Sequence, residues 1–243
     1  MTQPSTNGGT PASSGRTPAQ GNRLDPWYDV YADRAHNLRA SEIRALFSVV
    51  SRPEVVSLAG GMPNLKDLPL DKLAASAEKL IRNHGAQAMQ YGSGQGWEML
   101  RERITEVMTY DGIVGADPDD VVVTTGSQQA LDLVTELFVN PGDVILAEAP
   151  SYVGALGVFR ARQADIVHVP MDEHGIIPEA LEETIRDVRS SGRTIKFIYI
   201  IPNYHNPAGV TLSAERRPII AEICLREHVL IVEDNPYGLL GFH

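Results

Sequence analysis

The chain has one cysteine in 243 residues, Cys224, which excludes an intrachain disulfide and any cysteine-rich metal site. It lies in the apolar-patterned stretch IIAEICL, where a buried core thiol is expected rather than a reactive one. Long apolar runs are also missing, since none approaches the roughly 20 residues of a membrane-spanning helix. The polar start MTQPSTNGGT lacks the charged-then-apolar layout of a signal peptide, so a cytoplasmic location and no membrane partner are expected. Positive charge is in deficit. With 21 Lys and Arg against 31 Asp and Glu, the formal net charge of -10 has the wrong sign for displacing counterions from nucleic acid, which is therefore not an expected partner.

What is present is enough apolar matter for one substantial core, 43% of the residues. Residues 1–22 are Thr, Ser, Gly, Pro and Gln with little to bury, and a disordered tail is expected there. Residues 23–70 read as an N-terminal arm. Leu38, Ile43, Leu46 and Phe47 fall at helical spacing, with Ser41 ahead of Arg44, and lead into an extended segment ending at LAGGMPN. Residues 71–243 read as one large α/β domain. Helical patterns over about 70–83 and 97–110 precede a change of texture at Asp120. From there short apolar runs recur: VVVTT at 121, VILA at 144, IVHV at 166, IKFIYII at 195 and VLIVE at 229. Their length and β-branching predict strands buried on both faces. Helical stretches at about 128–139, 153–162, 178–190 and 213–227 alternate with them, which predicts a doubly wound, mostly parallel sheet.

Ligands of such sheets sit beyond the carboxyl ends of the strands. Gly126-Ser127-Gln128 follows the first run and opens a helix, where free N–H groups suit an anion, although a Gly-Ser pair is also an ordinary helix start. EAPSY brings Tyr152 to the mouth of the sheet, as a stacking face or as a plain core or surface tyrosine. The proline-bracketed PNYHNPAG can aim Asn206 at a ligand oxygen, and Asn-Pro is also a common turn. Asp234 and Tyr237 offer a carboxylate and a phenol three residues apart after VLIVE, although a strand-end Asp is often only a turn former. Taken together, an anion cradle, an aromatic face, an amide, a carboxylate and a phenol match pyridoxal phosphate, whose ring nitrogen needs a charge partner to stay protonated.

At this point the chain resembles a known family. LAGGMP at 58, YGSGQGWEMLRERI at 91, TTGSQQALDL at 124, EAPSY, PNYHNPAG and VEDNPYG at 232 are similar to the motif series of the fold type I, class I and II aminotransferases, nearer the 2-aminoadipate and aromatic branch than the aspartate branch. The resemblance implies the N-terminal portion of a family member, with a truncated, incomplete large domain of that fold, and pyridoxal 5'-phosphate as cofactor. It implies that Gly126, Ser127 and Gln128 hold the phosphate, that Tyr152 stacks on the ring, that Asn206 and Tyr237 contact the phenolic oxygen, and that Asp234 pairs with the ring nitrogen. Tyr91 would reach the phosphate of a partner subunit, making the active form a homodimer. Gly61 would meet the substrate carboxylate, and Arg44 either meets a distal carboxylate or is an exposed helix arginine.

Two departures follow from the same resemblance. Family members carry a Ser-x-Ser-Lys segment after the Asp-x-x-Tyr motif; its lysine forms the Schiff base, and these 243 residues hold no match to it. The lysines present are Lys66, Lys72, Lys79 and Lys196, and none is expected to substitute, so no catalytic residue is assigned. The family's strand order would also separate the run at Val121 from the run at Val229 by two strands, a gap of roughly 14 Å at ordinary strand spacing. Cis peptides are expected before Pro150 and Pro207. Transamination between an amino acid and a 2-oxo acid by the parent enzyme is the expected function. The alternatives are a non-catalytic truncated protein and the effector domain of a cofactor-binding transcription regulator.

Overall fold

Apolar strands need lateral partners for their backbone groups, and four of the five expected runs find them. The computed structural model describes residues 25–36, 54–56 and 65–241. The expected tail and the arm residues Leu38 to Phe47 lie outside the described residues, as do Arg44 and Gly61. Contacts divide the chain into two bodies, Met1–Asn37 and Leu38–His243. In the first, the helical turn Asp33–His36 brings His36 against Tyr28, ring centroids 4.7 Å apart.

The second body holds a five-stranded sheet. Its strands are β1 (Val144–Ala149), β2 (Asp165–Asp172), β3 (Gly175–Ile176), β4 (Ile195–Ile200) and β5 (Leu230–Glu233). They lie in the order β3-β2-β1-β4-β5. All pairings are parallel except the short β2–β3 hairpin. Among the described residues, six helices surround or precede it: α1 (Leu70–Ala88), α2 (Glu98–Met108), α3 (Ser127–Phe138), α4 (Val153–Ala161), α5 (Pro178–Ser190) and α6 (Arg216–Arg226).

The period of two along β4 explains the two-sided core. Ile198 and Ile200 face α5 and α6, packing with Leu181, Ile185, Ile220 and Cys224, while Phe197 and Tyr199 face α3 and α4, packing with Leu131, Ala155 and Phe159. Helices on both faces make the sheet doubly wound, as the alternating runs predict. Pro178 at the first position of α5 loses no intrahelical hydrogen bond there.

Val121–Thr124 departs from expectation. It forms no strand; Val122 is exposed, and the Val123 N–H donates to the Gln95 carbonyl at 2.7 Å. A ladder requires a neighbouring strand, and no described strand runs alongside this segment. No backbone hydrogen bond joins 121–124 to 229–233, and among the described residues β5 pairs with β4 alone and is an edge strand. Two boundaries also move. α1 continues past residue 83 to Ala88 through a kink at His84, and α6 begins at Arg216 rather than 213.

Candidate functional site

Because β1, β4 and β5 are adjacent and parallel, the loops that follow them leave from one edge of the sheet. Tyr152 follows β1, Asn206 follows β4, and Asp234 and Tyr237 follow β5. Gly126, Ser127 and Gln128 form the start of α3. Gly126 has φ of 87°, a left-handed conformation that favours glycine, and supplies no side-chain cap, so the first amides of α3 keep their free N–H groups. The loop before them is ordered by Gln129, whose Oε1 accepts from the Thr125 N–H at 2.6 Å and the Thr125 hydroxyl at 2.7 Å.

Contacts connect these loops. Arg162 forks onto Asp132 at 2.8 and 2.7 Å, holding α4 against α3. Across that junction Gln128 Nε2 donates to Tyr152 Oη in a long 3.4 Å contact. The Tyr152 ring lies over Gly154, where an added Cβ would come within 2.4 Å of the tyrosine Cζ. Tyr199 Oη donates to Asp234 Oδ2 at 2.7 Å, and the Asp234 N–H donates to the Ile200 carbonyl at 2.9 Å. Burial first, then the hydrogen bond to Asp234 and its charge, push the Tyr199 phenol well above the usual tyrosine range, with Tyr152 adding to the effect. The β4 and β5 loops are joined in turn. Asn203 Nδ2 donates to Asn235 Oδ1 at 2.9 Å, and Arg217 donates to Asn203 Oδ1 at 2.6 Å.

Beneath the edge sits a polar pair in the core, Glu148 and His205, 1% and 2% exposed. Glu148 Oε2 accepts the Ile201 N–H at 2.8 Å and faces His205 Nε2 at 3.1 Å, off the line a hydrogen bond requires. The Ala208 N–H points at His205 Nδ1 at 3.3 Å, which assigns the ring proton to Nε2. Glu148 thus ties the end of β1 to the start of the loop carrying Asn206. Ala149-Pro150 and Asn206-Pro207, one in each of those loops, are both cis.

Sequence reasoning did not single out Tyr199, Glu148 or His205. The signal for the first two was present. A phenol or a carboxylate inside a continuously apolar strand must find a partner, and each does. Tyr91 stands apart: it is 99% exposed and makes no side-chain hydrogen bond among the described residues. It lines a cleft of about 880 Å³ with His84 and Trp97, and a second cleft of about 580 Å³ lies between α2 and Leu239; neither is lined by Ser127, Tyr152 or Asn206. Among the described residues, no cluster of His, Cys, Asp and Glu is arranged to hold a metal, and no helix is long and apolar enough to cross a membrane.

Known proteins share this chain's sequence pattern and fold. Residues 53–243 match the family model described as aminotransferase class I and II. The aromatic-amino-acid aminotransferase 1 of Thermococcus litoralis is 38% identical over 212 residues, covering 87% of this chain and 51% of the relative. The 2-aminoadipate transaminase of Thermus thermophilus is 35% identical over 216 residues, covering 89% and 52%. Among solved structures, Pyrococcus horikoshii kynurenine aminotransferase in complex with PMP superposes with a TM-score of 0.81 at 34% identity, covering 88% of this chain and 53% of that one. The α-aminoadipate aminotransferase of Thermus thermophilus, complexed with N-(5'-phosphopyridoxyl)-L-leucine, gives 0.75 at 33% identity, covering 86% and 49%. The chain spans about half the length of the curated relatives it matches.

Proposed function

This chain belongs to the class I and II aminotransferases, a family that uses pyridoxal phosphate, and on that premise we propose that its carboxyl-edge loops hold the cofactor. At the family's full length the site would move an amino group between an amino acid and a 2-oxo acid. The observation that carries the reading is the run of contacts from Gln128 to Tyr152 and from Tyr199 to Asp234, in loops that leave one sheet edge.

The free groups there suit the cofactor. The uncapped N-terminus of α3 suits a phosphate dianion, with the N–H groups of Ser127 and Gln128 and the Ser127 hydroxyl as donors. Ser127 Oγ, the Asn206 amide, the Tyr237 hydroxyl and Asp234 Oδ1 have no hydrogen-bond partner among the described residues, so each is available to a ligand. In this assignment Tyr152 packs on the ring, Asn206 and Tyr237 donate to its phenolic oxygen, and Asp234 holds a proton on the ring nitrogen. When bound, pyridoxal phosphate supplies an electron sink for a carbon–hydrogen bond of the substrate. The protein's part is to bind, orient and keep that nitrogen charged.

Several parts of the reading reach further. Tyr91, exposed here, would touch the phosphate bound by the other subunit of a homodimer. Gly61 and Arg44 would meet substrate carboxylates. The relatives named for aromatic amino acids and 2-aminoadipate make those the first donors to test. In the proposed domain plan, residues 1–22 are a tail, 23–70 an arm and 71–243 part of the cofactor-binding domain.

No lysine of this chain is assigned to the covalent link. Lys196 opens β4 and pairs with Asp143 at 3.3 Å, at the amino edge of the sheet. Lys72 and Lys79 are exposed on α1, and Lys66 precedes it. The 243 residues alone are therefore expected to bind the cofactor without a covalent bond and to lack transaminase activity. Borohydride reduction in the presence of pyridoxal phosphate, followed by peptide mass mapping, tests this. No stoichiometric lysine adduct is expected, and one on Lys66, Lys72, Lys79 or Lys196 would overturn the assignment.

A further inference from the structure

Tyr199 lies on β4 between two neighbouring strands. Its register partners are Ala147 of β1 and Val232 of β5, and its side chain is fully buried. The ring stands edge-on to Phe159 with centroids 5.4 Å apart and planes at 76°, and Phe159 meets Phe197 in the same manner at 5.7 Å. Full burial and the Phe159 edge contact therefore leave the phenol only its hydroxyl rotor. That hydroxyl reaches one acceptor, Asp234 Oδ2, at 2.7 Å.

Asp234 is gripped twice by β4. Its N–H bonds to the Ile200 carbonyl, continuing the ladder one step past the end of β5, and its carboxylate takes the Tyr199 hydroxyl. A carboxylate just beyond a strand end has two oxygens and a free χ2 rotation, so without a second tether it can present either oxygen or turn away. Oδ2 is engaged, while Oδ1 has no hydrogen-bond partner among the described residues.

We propose that Tyr199 is a positioning residue that occupies Asp234 Oδ2 and so presents Oδ1 to the cofactor's ring nitrogen. The inference rests on the cofactor reading above and adds to it a residue that touches neither cofactor nor substrate. Because burial keeps the phenol protonated, Tyr199 can act only as a donor toward the carboxylate. A purely space-filling ring would be served equally by phenylalanine; the hydroxyl is the part the proposal needs.

The test uses the 243-residue chain and pyridoxal phosphate labelled with ¹⁵N in the ring. Binding is followed by equilibrium titration and the ring-nitrogen shift by NMR near neutral pH. Tyr199→Phe should bind the cofactor roughly tenfold more weakly, what one hydrogen bond to a charged group is worth, and its ring nitrogen should move toward the neutral-pyridine shift. Phe159→Leu loosens the same cluster but keeps the hydroxyl, so its bound cofactor should keep the wild-type shift. Wild-type affinity and shift in Tyr199→Phe would overturn the proposal, as would Phe159→Leu reproducing the Tyr199→Phe change. Absence of saturable binding by the unaltered chain, or a ring nitrogen indifferent to Asp234→Asn, would instead overturn the cofactor reading and this inference with it.

Discussion

Helix α5 and helix α1 carry the same kind of message in sequence, apolar residues at helical spacing, and meet opposite fates. α5 buries Pro178, Leu181, Ile185 and Val188 against the sheet. α1 is longer, at 19 residues, yet none of them is buried, and Leu70, Leu73, Leu80 and Ile81 are exposed. The contrast extends to the regions around them. From Ser127 to Glu233, strands and helices enclose two apolar clusters; from Leu65 to Thr125, Trp97, Leu100, Val107 and Val122 remain exposed. A periodic stripe states which face a helix needs to bury, but the receiving surface must come from elsewhere, and only the first region supplies its own.

Large-to-small substitutions should separate the two regions most strongly. Leu146→Ala empties a fully buried position on β1 and should cost about 2–5 kcal/mol in urea unfolding, whereas Leu73→Ala on α1 should fall within about 0.5 kcal/mol of wild type. Comparable costs at the two sites would show that α1 is packed after all.

Charge pairs give a second contrast. Arg216 forks onto Asp172 at 2.6 and 2.8 Å, and together with the His174 N–H this holds the Asp172 carboxyl down at about 2. The Glu78–Arg82 pair on α1 has the same reach, 2.7 Å, but is exposed at both ends. The folded-state value of Asp172 lies below the unfolded value of about 3.9, so its contribution is complete above that value and lost as pH falls toward 2. Asp172→Asn should therefore be less stable than wild type at mild pH, with the gap closing between about pH 4 and pH 2. Glu78→Gln should leave the denaturation midpoint close to wild type at neutral pH. Denaturation midpoints measured across that range and at neutral pH check both.

The smallest effect concerns the thiol. Burial alone pushes Cys224 up to about 11, and it sits in the α6 side of the core. Ellman's reagent at neutral pH should leave it unmodified in the native chain and react with one thiol per chain after unfolding. Prompt native labelling would mean that α6 opens far more readily than its packing implies.

Legibility in the sequence followed the same division. Four strands and the helices between them were readable because each run is buried by neighbours the chain itself provides, and α5 falls on the expected 178–190. Val121–Thr124 has the composition of a strand but no ladder, because strand formation depends on a lateral partner that a local pattern cannot report. At the site, the edge loops could be read from motif chemistry. Tyr199 and Glu148 signalled only that each needs a buried partner, since nothing within IKFIYII and VILAEA names Asp234 or the Ile201 N–H as that partner. His205 carried no signal of its own beside the more conspicuous Asn206.

The account depends most on one cofactor joining the loops of α3, β1, β4 and β5. A crystal structure of the chain with pyridoxal phosphate tests that directly. The phosphate is expected on the free N–H groups of Ser127 and Gln128, the ring against Tyr152, and the ring nitrogen within hydrogen-bonding distance of Asp234 Oδ1. Density for the cofactor in the cleft beside Tyr91 and Trp97, or bonded to one of the four lysines, with the Ser127-to-Asp234 edge empty, would contradict it.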